Sequence, residues 1–487
     1  MARILFTFIY QKYIRMIEPA VFEPGLICNA ASVGQLYASQ KAFFSTGVTR
    51  SFQFRKGQLN VLKAAIKRYE PAIMEALYKD LHKPAFESYG TEIGVVYEEI
   101  NDTLKHLRQW MKPEAVQTPL LFFPSTSKVH KDPLGTVLII SPWNYPFMLM
   151  FAPLISAIAG GNTVLLKPSE LASATEEIIY ELISKTFEEE YIAVIKGPGH
   201  LITEELICKQ RLDHIFFTGS TVVGKKIMEA ASVHLTPVTL ELGGKSPCII
   251  APDARLDFAA KKIAWSKWVN AGQTCVAPDY LLVHESIKEK LIAKLIVETE
   301  KMFGKDAKQS EDYPWMINKK RYEVVTSYLR ESKIIYGGET DASVNYISPT
   351  IVEIEDMDSR IMQEEIFGPV LPVITYNSNE EAVAIVERNP NPLSLYMFTE
   401  SDQTSNYFIG KIPFGGGCIN NGLIHLGVPG LPFGGVGYSG IGQYHGKAGF
   451  ETFTRKKGIV KSPSWFDVPF WYAPHKNYIR VLRKFMK

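Results

Sequence analysis

The sequence predicts an α/β fold of two large lobes, each built around a mostly parallel sheet. A chain of 487 residues is too long for a single hydrophobic core. Short apolar runs at residues 135–141, 162–167 and 213–219 are typical of buried strands, and helical segments separate them. After residues 238–250, a second alternating region continues to about residue 440, and we assign it to the second lobe.

Three segments lie outside this alternation. Residues 55–81 carry leucine and isoleucine at mostly helical spacing, and Pro71 is expected to break them into a pair of helices. Residues 110–134 are rich in Pro, Ser and Thr, which predicts an extended arm. The last residues, 475–487, predict a basic tail helix. A tail helix docked on the protein with solvated lysine and arginine side chains is favoured over contact with a membrane surface.

Composition limits the classes of partner. The 53 Lys and Arg residues nearly balance the 51 Asp and Glu residues, so charge gives no reason to expect binding to nucleic acid. The five cysteines are scattered without metal-ligand spacing, which predicts free thiols in a reducing compartment and no zinc site. No run of about 20 apolar residues occurs, so we expect a cytoplasmic protein without a spanning helix. Small-molecule chemistry is the better starting hypothesis.

Two residues are candidates for chemistry. Cys275 lies in the stretch NAGQTCVAPDY, residues 270–280, whose small, polar and turn-forming residues are unusual around a structural thiol. Glu241 lies in LELGGK, residues 240–245, where two glycines leave little bulk around the carboxylate. Confinement raises a carboxyl pKa, which suits a general base. An inert buried thiol and a salt-bridged glutamate are the structural alternatives.

Two turns have features of a nucleotide site. Residues 216–231 predict a strand, a turn with Gly219 and Gly224, and a helix, so a pyrophosphate could approach the helix N-terminus. Lys167 and Glu170 follow a strand end, where the carboxylate could bind ribose hydroxyls and repel a 2′-phosphate. Each turn could equally be structural, so the two are informative only together.

Seven motifs in a fixed order resemble those of the aldehyde dehydrogenase superfamily. They are SPWNYP (141–146), KPSE (167–170), FTGSTVVGK (217–225), LELGGK (240–245), GQTC (272–275), EEIFGPV (364–370) and LPFGGVGYSGIGQYHGKAGF (431–450). The stretch TRSFQFRKGQL (49–59), together with GQTCVAPDY and YHGKAGF, is similar to the class 3 branch, which includes fatty aldehyde dehydrogenases. The resemblance covers about residues 39–460.

The resemblance implies a division into domains. The expected units are a Rossmann-type nicotinamide-binding domain (39–109 and 135–243), an α/β catalytic domain (244–450), and a small bridging or oligomerisation element (110–134 and 451–474). Residues 1–38 form an N-terminal extension of unknown role, and residues 475–487 form the tail helix. Class 3 relatives are typically dimers, so a homodimer is implied.

The resemblance also implies roles for individual residues. Cys275 matches the nucleophile, Glu241 the general base, and Asn144 the amide that holds the oxyanion together with the backbone N–H of Cys275. Tyr145 is expected to line the substrate pocket. The implied cofactor is NAD, with NADP tolerated, and the matching residues are Lys167 and Glu170 for the adenosine ribose, Gly219, Ser220 and Gly224 for the pyrophosphate, and Glu365 and Phe367 for the nicotinamide riboside.

The implied reaction is NAD(P)-dependent oxidation of medium- to long-chain aliphatic, or aromatic, aldehydes to carboxylic acids through a thiohemiacetal and a thioester. An acylating enzyme that uses coenzyme A or phosphate, a cysteine hydrolase, and a catalytically silent protein on the same fold are the alternatives. One departure concerns the substrate side, because Asn421 and Gly422 stand where relatives commonly have Asp-Thr. That difference puts the preference for substrate length and shape in doubt.

Overall fold

The computed structural model describes residues 30–354, 356–468, 471–475 and 478–486. The predictions that concern Cys28, most of the N-terminal extension, and tail residues 476, 477 and 487 lie outside these ranges.

The α-helices of the described residues alternate with strands through most of the chain. Their bounds are Ala30–Ser45, Phe52–Leu81, Ala85–Ser88, Gly94–Trp110, Met148–Gly160, Ser173–Ser184, Gly199–Ile202, Thr221–Ser232, Leu256–Trp268, Lys288–Phe303, Lys319–Arg330, Arg360–Gln363, Asn379–Glu387, Asp402–Lys411, Gly446–Thr452 and Ile479–Phe485.

The strands, in chain order, are β1 (Glu114–Val116), β2 (Thr126–Pro133), β3 (Thr136–Ile140), β4 (Thr163–Lys167), β5 (Ile192–Val194), β6 (His214–Gly219), β7 (Val238–Leu242), β8 (Pro247–Ile250), β9 (Tyr280–His284), β10 (Lys333–Tyr336), β11 (Thr340–Asp341), β12 (Tyr346–Ile347), β13 (Thr350–Glu353), β14 (Val370–Tyr376), β15 (Ser394–Phe398), β16 (Gly416–Ile419), β17 (Gly440–Ile441) and β18 (Thr454–Lys461).

The first large sheet has six strands in the order β17-β7-β6-β3-β4-β5. Strands β3 to β7 pair in parallel, because helical crossovers connect them, and β17 pairs antiparallel to β7. Every residue of helix Met148–Gly160 is buried, as its almost wholly apolar sequence requires. Strand β17 lies within residues 244–450, the expected catalytic domain, yet it pairs with β7 of the first sheet. Sheet membership and the expected domain boundary therefore differ here.

The second large sheet has seven strands in the order β10-β13-β14-β9-β8-β15-β16. All of its pairings are parallel except that of β10 with β13. Strand β7 belongs to the first sheet and β8 to the second, and only residues 243–246 separate them. The chain therefore passes from one lobe to the other directly after Glu241.

A three-stranded antiparallel sheet joins the arm and the C-terminal region in the order β1-β2-β18. Its strands come from the two segments that the resemblance grouped into a bridging element. The domain limits as a whole stay a prediction.

The expected break at Pro71 is wrong, because a single helix runs from Phe52 to Leu81 with Pro71 inside it. Proline removes one N–H, so the carbonyl four residues earlier, at Lys67, loses its helical partner. Pro71 and Lys67 are both exposed, so water can solvate that carbonyl. Ile66 and Ile73 are fully buried on either side of Pro71, and their packing holds the helix together.

Of the helices in the described ranges, none combines enough length with enough apolar character to span a bilayer. The tail contains helix Ile479–Phe485, and the side chain of Ile479 in it is 57% exposed. Contact of this tail with the protein body or with a membrane stays a prediction.

Candidate active site

Cys275 follows a sharp bend in the chain. The short turn Val269–Gly272 ends helix Leu256–Trp268, and within it Asn270 and Ala271 have φ values of 53° and 51°. A side chain on Gly272 would place its Cβ 2.3 Å from the carbonyl oxygen of Gly368, so only glycine fits there. Next, the Gln273 side chain donates to the carbonyl of Trp315 at 3.0 Å and accepts from the N–H of Ile317 at 3.0 Å. These contacts fix the loop that carries the thiol.

The thiol of Cys275 is half-buried at the junction of the lobes. Burial, followed by the negative charges of Glu365 and Glu241, raises the pKa of Cys275 to about 12. The N–H groups of Cys275 itself and of Val276 act in the opposite direction. The thiol therefore keeps its proton at neutral pH until a base removes it.

Glu241 is a buried carboxyl without a partner. Its side chain lies at the end of β7 and is only 2% exposed, and neither Oε1 nor Oε2 has a hydrogen-bond partner among the described residues. Burial raises the pKa of Glu241 well above its ordinary value. Because an unsatisfied buried polar group costs stability, its presence beside a thiol indicates a role in chemistry.

Asn144 and Tyr145 are tied to the loop that precedes Cys275. Asn144 Nδ2 donates to the carbonyl of Gln273 at 3.0 Å, and the amide group carries a second N–H for another acceptor. The hydroxyls of Tyr145 and Thr274 are 2.7 Å apart. The two motifs that contribute the expected oxyanion donors are thus in direct contact.

Glu365 and Phe367 lie against the same junction. Gly244 donates its backbone N–H to the Glu365 carboxyl, and burial, with the nearby charge of Asp279, raises the pKa of Glu365 to about 8. Phe367 has a φ of 50° and packs edge-on against Trp143, with ring centroids 5.3 Å apart. The structure therefore brings EEIFGPV together with LELGGK and SPWNYP.

At the carboxyl ends of β4 and β5 there is an open cavity of about 270 Å³, lined by Glu170, Glu176, Lys196, Gly197 and Pro198. Lys167 Nζ donates to Glu170 Oε2 at 2.9 Å, and the Glu170 side chain is 48% exposed. Partial burial raises the pKa of Glu170, but the hydrogen bonds from Lys167 and backbone N–H groups outweigh it and lower the pKa overall.

Lys196 and Pro198 also line this cavity and were not among the predicted site residues. They directly follow β5, which pairs with β4, so the rule that ligands bind beyond the carboxyl ends of parallel strands could have found them. Glu176, on helix Ser173–Ser184, has no such local signal.

The turn after β6 leads into helix Thr221–Ser232. The Ser220 hydroxyl caps this helix by accepting from the N–H of Val223 at 3.4 Å. A Cβ on Gly224 would lie 2.6 Å from Leu242 Cδ2, so this glycine lets the helix approach β7 closely. A Cβ on Gly219 would lie 2.6 Å from the Phe217 ring. The helix N-terminus thus stands at the strand ends, where an anionic phosphate is favoured.

The Asn421-Gly422 pair lies where the loop after β16 packs on a helix. A Cβ on Gly422 would lie 2.0 Å from Ser266 Oγ, so the loop packs directly on helix Leu256–Trp268. A threonine here would displace that contact. The departure seen in the sequence therefore changes how closely the loop lies against the helix that leads to Cys275.

At the junction of the lobes, the Cys275 thiol lies near a carboxyl that has no hydrogen-bond partner among the described residues, and a cavity opens beyond the strand ends of the first lobe. Two α/β lobes with a cavity beyond the carboxyl ends of parallel strands are typical of nucleotide-binding enzymes. Over residues 23–459 the chain matches the aldehyde dehydrogenase family, and it belongs to that family.

Three similar proteins within this family give a more detailed comparison. The 4,4'-diaponeurosporen-aldehyde dehydrogenase of Staphylococcus aureus is 47% identical, over 93% of this chain and 99% of that protein. The dimeric NADP-preferring aldehyde dehydrogenase of Canis lupus familiaris is 42% identical, over 89% of this chain and 95% of that protein. The solved substrate-bound state of Staphylococcus aureus AldH has a TM-score of 0.92 and 47% identity, and the match covers 93% of this chain and 99% of that one.

These comparisons confirm several predictions. The aldehyde dehydrogenase fold, the enzyme class and the class 3 branch are confirmed, since a family 3 member B1 of Rattus norvegicus is also 42% identical. A nicotinamide dinucleotide cofactor is confirmed at the level of NAD(P), because the relatives and structural neighbours include NADP-preferring and NAD-dependent enzymes. The protein is an NAD(P)-dependent aldehyde dehydrogenase. Individual residue roles and the choice of aldehyde are matters of proposal.

Proposed function

We propose that the enzyme oxidises medium- to long-chain aliphatic, or aromatic, aldehydes to carboxylic acids through a thioester on Cys275. The observation that carries the mechanism is the buried, unpartnered Glu241 carboxyl close enough to the thiol to raise its pKa. A carboxyl without a partner is available to exchange protons with a substrate or with water.

The Cys275 sulfur bonds to the aldehyde carbon as the thiol proton passes to solvent water, and the carbonyl oxygen becomes an oxyanion. We expect the Asn144 amide, which contacts the loop before Cys275, and the Cys275 N–H to donate to that oxygen. The aldehyde hydrogen then leaves with its electron pair, and the acyl group stays on sulfur as a thioester. Ionised Glu241 takes a proton from water, and the resulting hydroxide attacks the thioester. The acid then leaves, and Glu241 returns its proton to the sulfur, which restores the thiol.

NAD(P), when bound, accepts the hydride. The residues that would hold it are Lys167 and Glu170 at the adenosine ribose, Gly219, Ser220 and Gly224 at the pyrophosphate, and Glu365 and Phe367 at the nicotinamide riboside. The open cavity beside Glu170 and the helix N-terminus after Ser220 fit a dinucleotide. We propose a preference for NAD with NADP accepted, since the ionised Glu170 repels a 2′-phosphate.

Assembly and location are part of the proposal. The names of dimeric relatives support a homodimer. The cysteines of the described residues are free thiols, which suits the cytoplasm. The acylating alternative is less favoured, because hydrolysis needs a base such as Glu241 and transfer to a thiol acceptor does not.

The test is a screen of purified enzyme with aliphatic aldehydes of increasing length and with aromatic aldehydes, followed by nicotinamide absorbance. Cys275→Ala should abolish oxidation and leave cofactor binding intact, whereas the control Cys208→Ala should oxidise aldehydes normally. Turnover by Cys275→Ala would refute the mechanism. Turnover that depends on added coenzyme A or phosphate would support the acylating alternative.

A further inference from the structure

The bend before Cys275 needs support from outside itself. Asn270 and Ala271 both adopt left-handed backbone conformations, at φ/ψ of 53°/30° and 51°/37°. Residues with a Cβ avoid this region, so such a conformation persists only where surrounding contacts hold it.

The Glu87 carboxyl provides one such contact. Its Oε1 accepts a hydrogen bond from the backbone N–H of Asn270 at 2.8 Å. The Asn270 side chain then donates from Nδ2 to the carbonyls of Asn144 at 2.7 Å and Gln273 at 3.1 Å. Since Asn144 Nδ2 also donates to Gln273, Asn270 joins the segment with the oxyanion amide to the segment with the nucleophile.

A neighbouring ion pair braces the other side of Asn144. Lys83 and Glu92 are fully buried and 2.5 Å apart, and Lys83 also donates to the Asn144 carbonyl at 3.3 Å. Glu92 Oε2 accepts from the N–H groups of Phe147 and Met148. The Lys83 charge is therefore engaged by Glu92, and Glu87 acts on the loop through the Asn270 N–H.

We propose that Glu87 is a positioning residue for the reaction: its ionised carboxylate holds the Asn270 bend and so aligns the Asn144 amide with Cys275. The inference rests on the proposed function, because it assigns a role relative to the proposed nucleophile and oxyanion donor.

Titration of Glu87 gives the inference a distinctive signature. Burial raises the pKa of Glu87 to about 7, against the opposing effects of Lys83 and the Asn270 N–H. The other titratable groups that act on it or feel its charge are Glu92, Asp312, Tyr145 and Tyr313. A carboxylate accepts a stronger hydrogen bond than a carboxylic acid. The alignment should therefore weaken as the pH falls through about 7.

The experiment compares Glu87→Gln and Glu87→Ala with the wild type over a range of pH. A matched control is Asp253→Asn. Asp253 lies in the loop after β8, and its carboxylate also accepts a backbone N–H, that of Glu400, at 3.0 Å. Two reactions are followed: aldehyde oxidation with NAD(P), and hydrolysis of a p-nitrophenyl ester without cofactor. Ester hydrolysis uses the thiol and the oxyanion donors but needs no hydride acceptor.

Glu87→Ala should lower kcat about 10-fold or more in both reactions, below the loss expected for removing an oxyanion donor outright, and leave the KM for NAD(P) unchanged. Glu87→Gln keeps a neutral acceptor for the Asn270 N–H, so it should retain activity. Its kcat should no longer decline as the pH falls through about 7. Asp253→Asn should behave as the wild type in both respects.

A Glu87→Gln profile that superimposes on the wild-type profile overturns the inference. So does a Glu87→Ala enzyme that is less stable to heat but has unchanged kcat. If Glu87→Ala does not fold, the pH profile of Glu87→Gln decides alone. Turnover by Cys275→Ala would refute the proposed function. If Cys275→Ala is inactive but the Glu87 variants match the wild type in kcat and pH profile, only this inference is refuted.

Discussion

The Glu365 carboxyl occupies the space beside Gly243, where a Cβ would lie 2.1 Å from Glu365 Oε2. Gly243 is therefore not simply a flexible link between β7 and β8. Its missing side chain lets a carboxyl from the EEIFGPV motif pack on the chain that carries Glu241. The two carboxyls on either side of this contact are both close enough to Cys275 to raise its pKa.

Gly243→Ala should displace Glu365 and weaken binding of the nicotinamide riboside. We expect the KM for NAD(P) to rise about 10-fold, the effect of losing one hydrogen bond to a charged group. The control is Gly244→Ala, whose Cβ would meet its nearest atom at 3.5 Å and whose N–H would still donate to Glu365. Steady-state kinetics with varied cofactor measure both. Equal effects from the two substitutions would show that Glu365 does not contact the cofactor.

Glu241→Gln should separate the two halves of the reaction. The thiol, the oxyanion donors and the cofactor site remain, so one hydride transfer per site can still occur. Steady turnover should fall about 10²–10⁴-fold, the usual effect of losing a general base. Rapid mixing should show one equivalent of NADH, and intact mass should detect an acyl group on Cys275. Wild-type turnover in this variant would exclude Glu241 as the base and make Glu365 the next candidate.

The buried carboxyls should also make stability depend on pH. In the unfolded chain Glu241 ionises near its ordinary pKa of 4.5, whereas in the folded protein its pKa is well above that value. Between these pKa values the folded protein binds the extra proton, so rising pH favours unfolding. We expect Tm to fall as the pH rises above the ordinary pKa of 4.5, and to fall less in Glu241→Gln. A Tm slope unchanged by the substitution would mean that Glu241 is already ionised in the folded enzyme.

Local sequence patterns predicted much of this enzyme, and the remainder depends on long-range contacts. Apolar runs predicted the parallel strands, and two nearby glycines pointed to Glu241. Both patterns span only a few consecutive residues, so they can be read from the sequence. Glu87 had no such signal, since its hydrogen bond to Asn270 joins positions 183 residues apart. The prediction of a helix break at Pro71 was wrong because tertiary packing of Ile66 and Ile73 stabilises the helix and outweighs the local preference for a break.

Glu170→Gln should shift cofactor choice toward NADP. The Glu170 carboxylate lies half-exposed at the cavity beyond β4, and its pKa is lowered overall by Lys167 and backbone N–H groups, so it is ionised at neutral pH. An ionised carboxylate repels a 2′-phosphate, and the amide does not, while Lys167 then keeps its positive charge without a partner carboxylate. The ratio of kcat/KM for NADP to that for NAD should rise about 10-fold, which corresponds to roughly 1.4 kcal/mol. A matched control is Glu181→Gln, on helix Ser173–Ser184, whose carboxylate pairs with Lys185 away from the cavity and should leave the ratio unchanged. An unchanged ratio in Glu170→Gln would place the adenosine ribose elsewhere on the sheet edge.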